Sequence, residues 1–543
     1  MTARGPVLPK RIMAALALVG GMVAAAPSAP AALKNDVSLA FRSSIDPALP
    51  VLLAAGPAPV MFAWDKEDIT REEVRSALEA QGTSAHLLDR VSVGVTCVGS
   101  MSDVAALSLT DGVRSVWGNH QMTTATSQSV PTAFNGSPSS VWNGMGWTGK
   151  GVGLAVLDTG LDATHPDLAM GTRTKLNVRV IVSHREIMGP YNDPCIQNTY
   201  TDDVNKAIYE FSGIETESLE DTETASGHGT HIAGVAAGDG TASDGRYKGM
   251  APEASLIGVG VTDSFHRTQQ IDDPTTGYEA VRPSTLGAVA GISYVLDKTL
   301  EKHRTHVILA GWGMSRELYD PWHPLSVAIR DAADFAITVV IPAGNDGPQA
   351  SDCSAAETCY INQYAASPFA ISVAATPKTS RTTVADVSSR GDSTLRPARD
   401  EFVRYEPTIA APGVSVISVR RIGISPYAQV PGTLIQGEGN PSSVKSERFD
   451  ADYRSMTGTS VAAAHVAGTV ALMQQAAVDT NGCFLTFTQV RDILTQTATS
   501  MPGYGPDRVG AGMVDATQAV ALAQAYPPEH STANYRCPLP EEG

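Results

Sequence analysis

Gly151-Val152-Gly153-Leu154-Ala155-Val156-Leu157-Asp158-Thr159-Gly160 is the stretch whose reading decides the fold. Residues 151–157 carry no polar side chain, and an acid, a hydroxyl and a glycine follow at once. A strand with one wet face would alternate polar and apolar residues, so an unbroken apolar run reads as a strand buried on both faces. The same grammar returns at residues 255–261, 306–309, 337–341 and 369–374, with helical stretches at 284–300 and 325–336 between some of them. Strand and helix in alternation imply an α/β fold: a three-layer α/β/α sandwich around a mostly parallel sheet. Reactive groups in such sheets gather at the carboxyl ends of the strands, which is where Asp158 falls.

Upstream, residues 60–117 form a second, smaller α/β pattern. A strand is predicted over 60–64. Thr70-Arg71-Glu72-Glu73 makes a capping box that opens a helix ending near Gly82. Val91, Val93, Val95 and Cys97 alternate with polar or small residues as in a half-buried strand. A short helix over 103–109 and a strand over 113–117 complete a small βαβ-type module of ferredoxin-like kind. Residues 120–146 are polar and read as a linker. Farther upstream, Arg4, Lys10 and Arg11 precede an apolar run too short to span a membrane comfortably, followed by small residues with a plausible cleavage site at Ala29-Pro30-Ala31. The expected organisation is a signal peptide over 1–31, a small module and linker over 32–122, a large domain over 123–525 and a tail over 526–543. Residues 185–226, acidic, and 419–455, rich in Gly, Pro and Ser, read as surface insertions in the large domain; the acidic one is expected to be a solvated face, or a lure for basic substrates or a cation.

The chain has 543 residues and 43% hydrophobic composition, ordinary for a globular protein. Its net charge of −17 repels phosphate backbones and anionic lipid, and no local basic patch offsets it, so no nucleic-acid partner is expected. Export, with no membrane association after signal removal, makes the six cysteines potential disulfide partners. Cys353 and Cys359 enclose a short loop, Cys483 and Cys537 could pin the tail, and Cys97 and Cys195 remain; the connectivity is open. No His/Cys spacing suggests zinc.

Three segments carry chemistry. Asp158 closes its strand; Gly227-His228-Gly229-Thr230-His231 opens one apolar helical run; Gly458-Thr459-Ser460-Val461 opens another. A serine hydroxyl needs a base within hydrogen-bond reach, imidazole has a suitable pKa, and a carboxylate on the second ring nitrogen fixes the tautomer. A helix N-terminus beneath the serine offers N–H groups to a developing oxyanion.

These segments, in this order, resemble the Asp, His and Ser signatures of the subtilisin-like serine proteases. The resemblance covers residues 146–525 and extends to Pro342-Ala343-Gly344-Asn345, similar to that family's oxyanion segment, and to Gly249-Met250-Ala251-Pro252, Ser388-Ser389-Arg390-Gly391, Ala411-Pro412-Gly413 and Gly510-Ala511-Gly512. It implies a secreted serine endopeptidase with Asp158, His228 and Ser460 as the triad and Asn345 as oxyanion donor. Gly311, Trp312, Gly313, Ala343 and Gly344 are the implied substrate-binding residues. The 60–117 module resembles the family's pro-domain, implying an intramolecular inhibitor and a self-processed zymogen cut between residues 118 and 131. Protein and peptide substrates and a monomeric enzyme are expected, with no cofactor for the chemistry.

The chain departs from the family pattern at two places. Val461, Ala463 and Ala464 replace the usual methionine, hydroxyl residue and proline after the serine, which helix propensity tolerates. The strand usually ending Asn-Met-Ser-x-Gly reads Leu309-Ala310-Gly311-Trp312-Gly313, and Trp312 there would narrow or wall a subsite. Asp167 matches a calcium ligand in some relatives, with Asp239 and Asp244 placed to complete a site; ordinary surface carboxylates are the plain alternative. His231 and His465 are read as packing residues. Ser442-Ser443-Val444-Lys445 matches an SxxK motif without companions and is read as chance. A catalytically inactive binding or scaffold protein on the same fold is the competing function.

Overall fold

The structure is a computed structural model. It describes residues 44–46, 49–54, 56–88, 90–118, 123–124, 130–135, 137–181, 213–214, 219–223, 227–261, 285–313, 318–347, 361–391, 405–422, 447–448, 452–527 and 536–537. The expected signal peptide, most of both expected insertions, the SxxK motif, Cys195, Cys353 and Cys359 lie outside the described residues.

The N-terminal unit runs β1 (Ser44–Ile45), β2 (Ala58–Trp64), α1 (Arg71–Ala80), β3 (Ala85–Leu87), β4 (Val93–Val98), α2 (Met101–Ser108) and β5 (Val113–Gly118). Its sheet order is β1-β5-β2-β4-β3. Strands β5, β2, β4 and β3 pair antiparallel, the ferredoxin-like arrangement, and β1 adds a parallel edge. The capping box at Thr70 forms as expected, with Glu73 and Thr70 bonding each other's backbone N–H. The half-buried reading of β4 is corrected, because five of its six residues are buried. Val60, Phe62 and Trp64 pack under α1 and α2, while Met61, Ala63, Val93 and Val95 join a core shared with the large domain. The face expected to be wet is therefore covered by protein.

The next strand is β6 (Thr123–Thr124). The large sheet is then built from β7 (Gly153–Asp158), β8 (Thr174–Ile181), β9 (Gly213–Ile214), β10 (Ser255–Gly260), β11 (Thr305–Ala310), β13 (Thr338–Pro342), β14 (Ala370–Pro377) and β15 (Ile409–Val414), with β12 (Trp312–Gly313) beside it. Its order is β15-β14-β13-β11-β7-β10-β8-β9. Seven strands are parallel, and only β9 runs antiparallel, against β8. Every residue of β7, β11 and β13 is buried, as the unbroken apolar runs require. Strand β7 lies between β10 on one side and β11 on the other, so the chain order reverses at β7. Crevices open at such a reversal, at the carboxyl ends of the strands.

One face of the sheet carries α3 (His228–Ala237), α6 (Thr459–Asn481), α7 (Phe487–Thr497) and α8 (Ala516–Ala525); the other carries α4 (Thr285–Tyr294) and α5 (Pro324–Asp334). Helix α6 is apolar all round and long enough to cross a membrane, but every residue of it from Thr459 to Val478 is buried in protein, as expected of a core helix. A small antiparallel sheet, β16 (Val416–Val419), β18 (Tyr453–Met456) and β17 (Glu447–Arg448), leads into α6. Cys483 and Cys537 are bonded, pinning the tail as expected.

Candidate active site

Asp158 is the last residue of β7, His228 the first of α3 and Ser460 the second of α6. All three are buried. His228 Nδ1 donates to Asp158 Oδ1 at 2.6 Å, and Ser460 Oγ donates to His228 Nε2 at 3.0 Å. The carboxylate dictates the ring's tautomer: with Nδ1–H committed to Asp158, Nε2 presents its lone pair to the hydroxyl. Asp158 Oδ1 also accepts from Thr159 N at 2.8 Å. Its Oδ2 has no donor among the described residues and faces Gly311. A Cβ on Gly311 would stand 2.6 Å from that oxygen and 3.0 Å from His228 Cε1, so glycine there leaves the pair its room.

Asn345 follows β13 at its carboxyl end. Thr459 N donates to Asn345 Oδ1 at 2.9 Å, and Thr459 Oγ1 lies 2.9 Å from the same atom. A backbone N–H can only donate, so the atom it meets is the amide oxygen and the Nδ2 donor is turned the other way. The loop is held by Ser389, which donates its N–H to Gly344 O at 2.9 Å and accepts Asp346 N on Oγ at 3.0 Å. Gly344 sits at φ 114° with Ser389 Oγ 2.7 Å from where a Cβ would be, so only glycine fits. Ala343 is buried, and its N–H and carbonyl bond Val373 and Asn362; it supports the loop and offers no free backbone donor to a substrate.

Strand β12 pairs antiparallel with β6, Trp312 opposite Thr124 and Gly313 opposite Thr123. The stretch leading from the N-terminal unit therefore lies on the segment expected to pair with substrate. The subsite role expected for the Trp312 side chain is corrected. The indole is fully buried, donates Nε1–H to Leu157 O at 2.6 Å and meets Tyr364 edge-on. Strand alternation turns it into the core, while its backbone pairs with β6. Asn362, which sequence reasoning passed over, donates from Nδ2 to Trp312 O and Pro342 O, both at 3.1 Å, tying β12 to β13.

The expected calcium residues do not assemble. Asp167 spends Oδ1 on Ala242 N and Oδ2 on Tyr453 Oη, both at 2.7 Å. Asp239 Oδ1 accepts from Thr241, and Asp244 is exposed in a left-handed turn. Among the described residues no group of three or more His, Cys, Asp or Glu side chains is placed to hold a metal ion.

The acidic stretch is also corrected where it is described. Asp221 and Glu223 are buried, not solvated, and only Glu220 is exposed. Burial pushes the Asp221 carboxyl up to about 7, with Asp162 adding repulsion and Arg421 opposing it. Burial likewise raises Glu223, against donors from Thr159 and Thr230. Burial holds the neighbouring His231 imidazole well below the ordinary histidine range, so it stays neutral. His465 bonds Val461 O through Nδ1. Both histidines are packing residues, as expected.

The sequence profile of the Subtilase family matches residues 149–518, well over half of the chain. The chain belongs to the subtilase family. It is a subtilisin-like serine peptidase with Asp158, His228 and Ser460 in the triad arrangement. Serine protease AprX of Bacillus subtilis is 30% identical over 380 residues, 70% of this chain and 68% of that protein. The major intracellular serine protease of the same organism is 27% identical, over 61% of this subtilase and 70% of that one. Among solved structures, fervidolysin from Fervidobacterium pennivorans, a keratinolytic enzyme related to subtilisin, superposes with a TM-score of 0.54 at 20% identity. That superposition covers 91% of this chain and 65% of the other, and supports the fold.

Proposed function

We propose that this subtilase is a secreted serine endopeptidase, made as a zymogen that processes itself. The observation that carries the reading is the junction stretch β6 lying antiparallel on β12, in a molecule whose Ser460, His228 and Asp158 are already in hydrogen-bond relay. An extended peptide adding a strand to an exposed edge is how a cleft grips a substrate backbone. Here the occupant is the chain's own segment, inside the proposed processing window at 118–131.

In the proposed mechanism Ser460 Oγ attacks the scissile carbonyl while His228 Nε2 takes its proton. Asp158 steadies the imidazolium. Asn345 Nδ2–H and the Ser460 N–H receive the oxyanion, and His228 then passes the proton to the leaving amine. Water releases the acyl group by the same steps reversed. No cofactor enters. The backbones of residues 311–313 and Gly344 line the substrate, and the N-terminal unit, docked on α5, acts as inhibitor until cleaved. Secretion rests on the basic start and apolar run of residues 1–31.

Expression of the parent and Ser460→Ala tests the zymogen reading. The parent should acquire a new N-terminus between residues 118 and 131, and the variant should remain full length after signal removal. Maturation of purified Ser460→Ala at the parent's rate refutes self-processing. A matured parent that leaves a denatured protein substrate intact supports the scaffold instead.

A further inference from the structure

Helix α3 starts with the triad base, yet its N-cap is Gly227, left-handed at φ 64° and lacking a side chain to receive the N–H groups of the first turn. Two side chains from outside the helix receive them. Thr159 Oγ1 accepts from Gly229 N at 2.9 Å. Glu223 Oε2 accepts from Thr230 N at 2.9 Å and from Thr230 Oγ1 at 2.7 Å. The Thr159 hydroxyl, having accepted from Gly229, gives its own proton to the Glu223 carboxylate. Thr159, Glu223 and Thr230 are all fully buried.

The two ends of this clamp matter. Thr159 is covalently next to Asp158 and donates its N–H to Asp158 Oδ1. Thr230 is two residues beyond His228. One carboxylate thus ties the end of the strand carrying the triad acid to the first turn of the helix carrying the triad base. Nothing local obliges those elements to keep a 2.6 Å contact, since Asp158 and His228 are 70 residues apart. Burying a carboxylate near Asp158 is costly, because desolvation and like charge both oppose its ionised form. The first-turn N–H dipoles of α3 and the guanidinium of Arg454, on β18, oppose that cost.

We propose that Glu223 is a positioning residue of the triad, setting the Asp158–His228 geometry through Thr159 and Thr230. The inference rests on the peptidase reading above. It assigns a task to a carboxylate of the acidic stretch that charge counting had placed in solvent.

The test is steady-state hydrolysis of a peptide ester or anilide, with active sites counted by a fluorophosphonate, for parent, Glu223→Ala, Thr159→Val and Thr159→Ser. Displacing a catalytic group by about an ångström can cost up to ~100-fold. Glu223→Ala should therefore lose about 10- to 100-fold in kcat per titrated site, with KM within about twofold. Thr159→Val should fall in the same direction, and Thr159→Ser should recover most of that loss. A cap serving stability alone would lower the melting temperature and leave kcat per titrated site alone. A folded Glu223→Ala with kcat within threefold of the parent overturns the proposal. Should that variant fail to fold, equal kcat in Thr159→Val and Thr159→Ser overturns it. A processed parent that takes no label overturns the peptidase reading and this inference with it, whereas an active parent with unmoved variants overturns this inference alone.

Discussion

Replacing Asn345 separates a catalytic amide from a structural one. Its Oδ1 receives the Thr459 N–H at the start of α6, and its Nδ2 is thereby turned away as a donor. Asn345→Ala removes both functions. Losing the acceptor leaves an orphan first-turn N–H, worth about 1 kcal/mol of stability. Losing the donor removes one of two groups proposed to receive the oxyanion, a loss that costs roughly 10²–10³ in kcat, or about 3–4 kcal/mol of transition-state stabilisation. Asn345→Asp distinguishes the two: it keeps an oxygen for Thr459 N but presents a lone pair where the oxyanion would form. The account predicts that Asn345→Asp retains most of the melting temperature and loses at least as much kcat as Asn345→Ala, with KM little changed in both. The assay is single-substrate kinetics on active-site-titrated enzyme beside thermal unfolding. If Asn345→Asp hydrolyses substrate within tenfold of the parent, the oxyanion assignment is wrong, whatever its stability.

Three further outcomes follow from particular residues. Asp221, with its folded pKa at about 7 against an ordinary 3.8, is easier to ionise in the unfolded chain. Its contribution to stability is thus fully present below pH ~4 and is lost as pH rises towards about 7; Asp221→Asn should raise the melting temperature at pH 8, by at most roughly 4 kcal/mol of stability, with little effect at pH 4. No such pH dependence between variant and parent would refute the buried, raised carboxyl. Gly313→Ala would put a Cβ 1.7 Å from Asn362 Nδ2, displacing the tie between β12 and β13, so KM for an extended peptide should rise about tenfold or more; unchanged kinetics would refute the β12 cleft. Cys97 is disulfide-bonded, and every other cysteine lies beyond residue 131. Cleavage between 118 and 131 should therefore leave the N-terminal piece attached on a non-reducing gel and release it with reductant; release without reductant refutes the cross-link.

Much of this molecule was legible in its sequence because the deciding signals are local. Strands such as β7 and β13 are read from unbroken apolar runs, since burial on both faces removes the polar residues that would interrupt them. Asp158, His228 and Ser460 stand in short motifs whose neighbours are needed for backbone turns and helix starts, so the motif travels with the chemistry. What escaped depends on tertiary placement. The charge of Glu223 looks like that of Glu220, yet only the fold turns one inward against Thr230 and leaves the other in water. An aromatic at position 312 looks like a cleft wall until the pleat sends it towards Leu157 O. The pattern of β4 cannot show that the large domain covers its second face. Asp167 carries a ligand's residue type, but its partners Ala242 and Tyr453 come from distant segments and take one hydrogen bond on each of its oxygens.

The central claim is that Ser460 is a nucleophile activated by His228. Folded protein freed of its N-terminal unit, treated with a fluorophosphonate and measured by intact and peptide mass spectrometry, tests it most directly. One adduct per chain on Ser460, lost in His228→Ala, is the predicted result. A folded protein that takes no adduct, takes it on another serine, or labels equally without His228 would contradict the account.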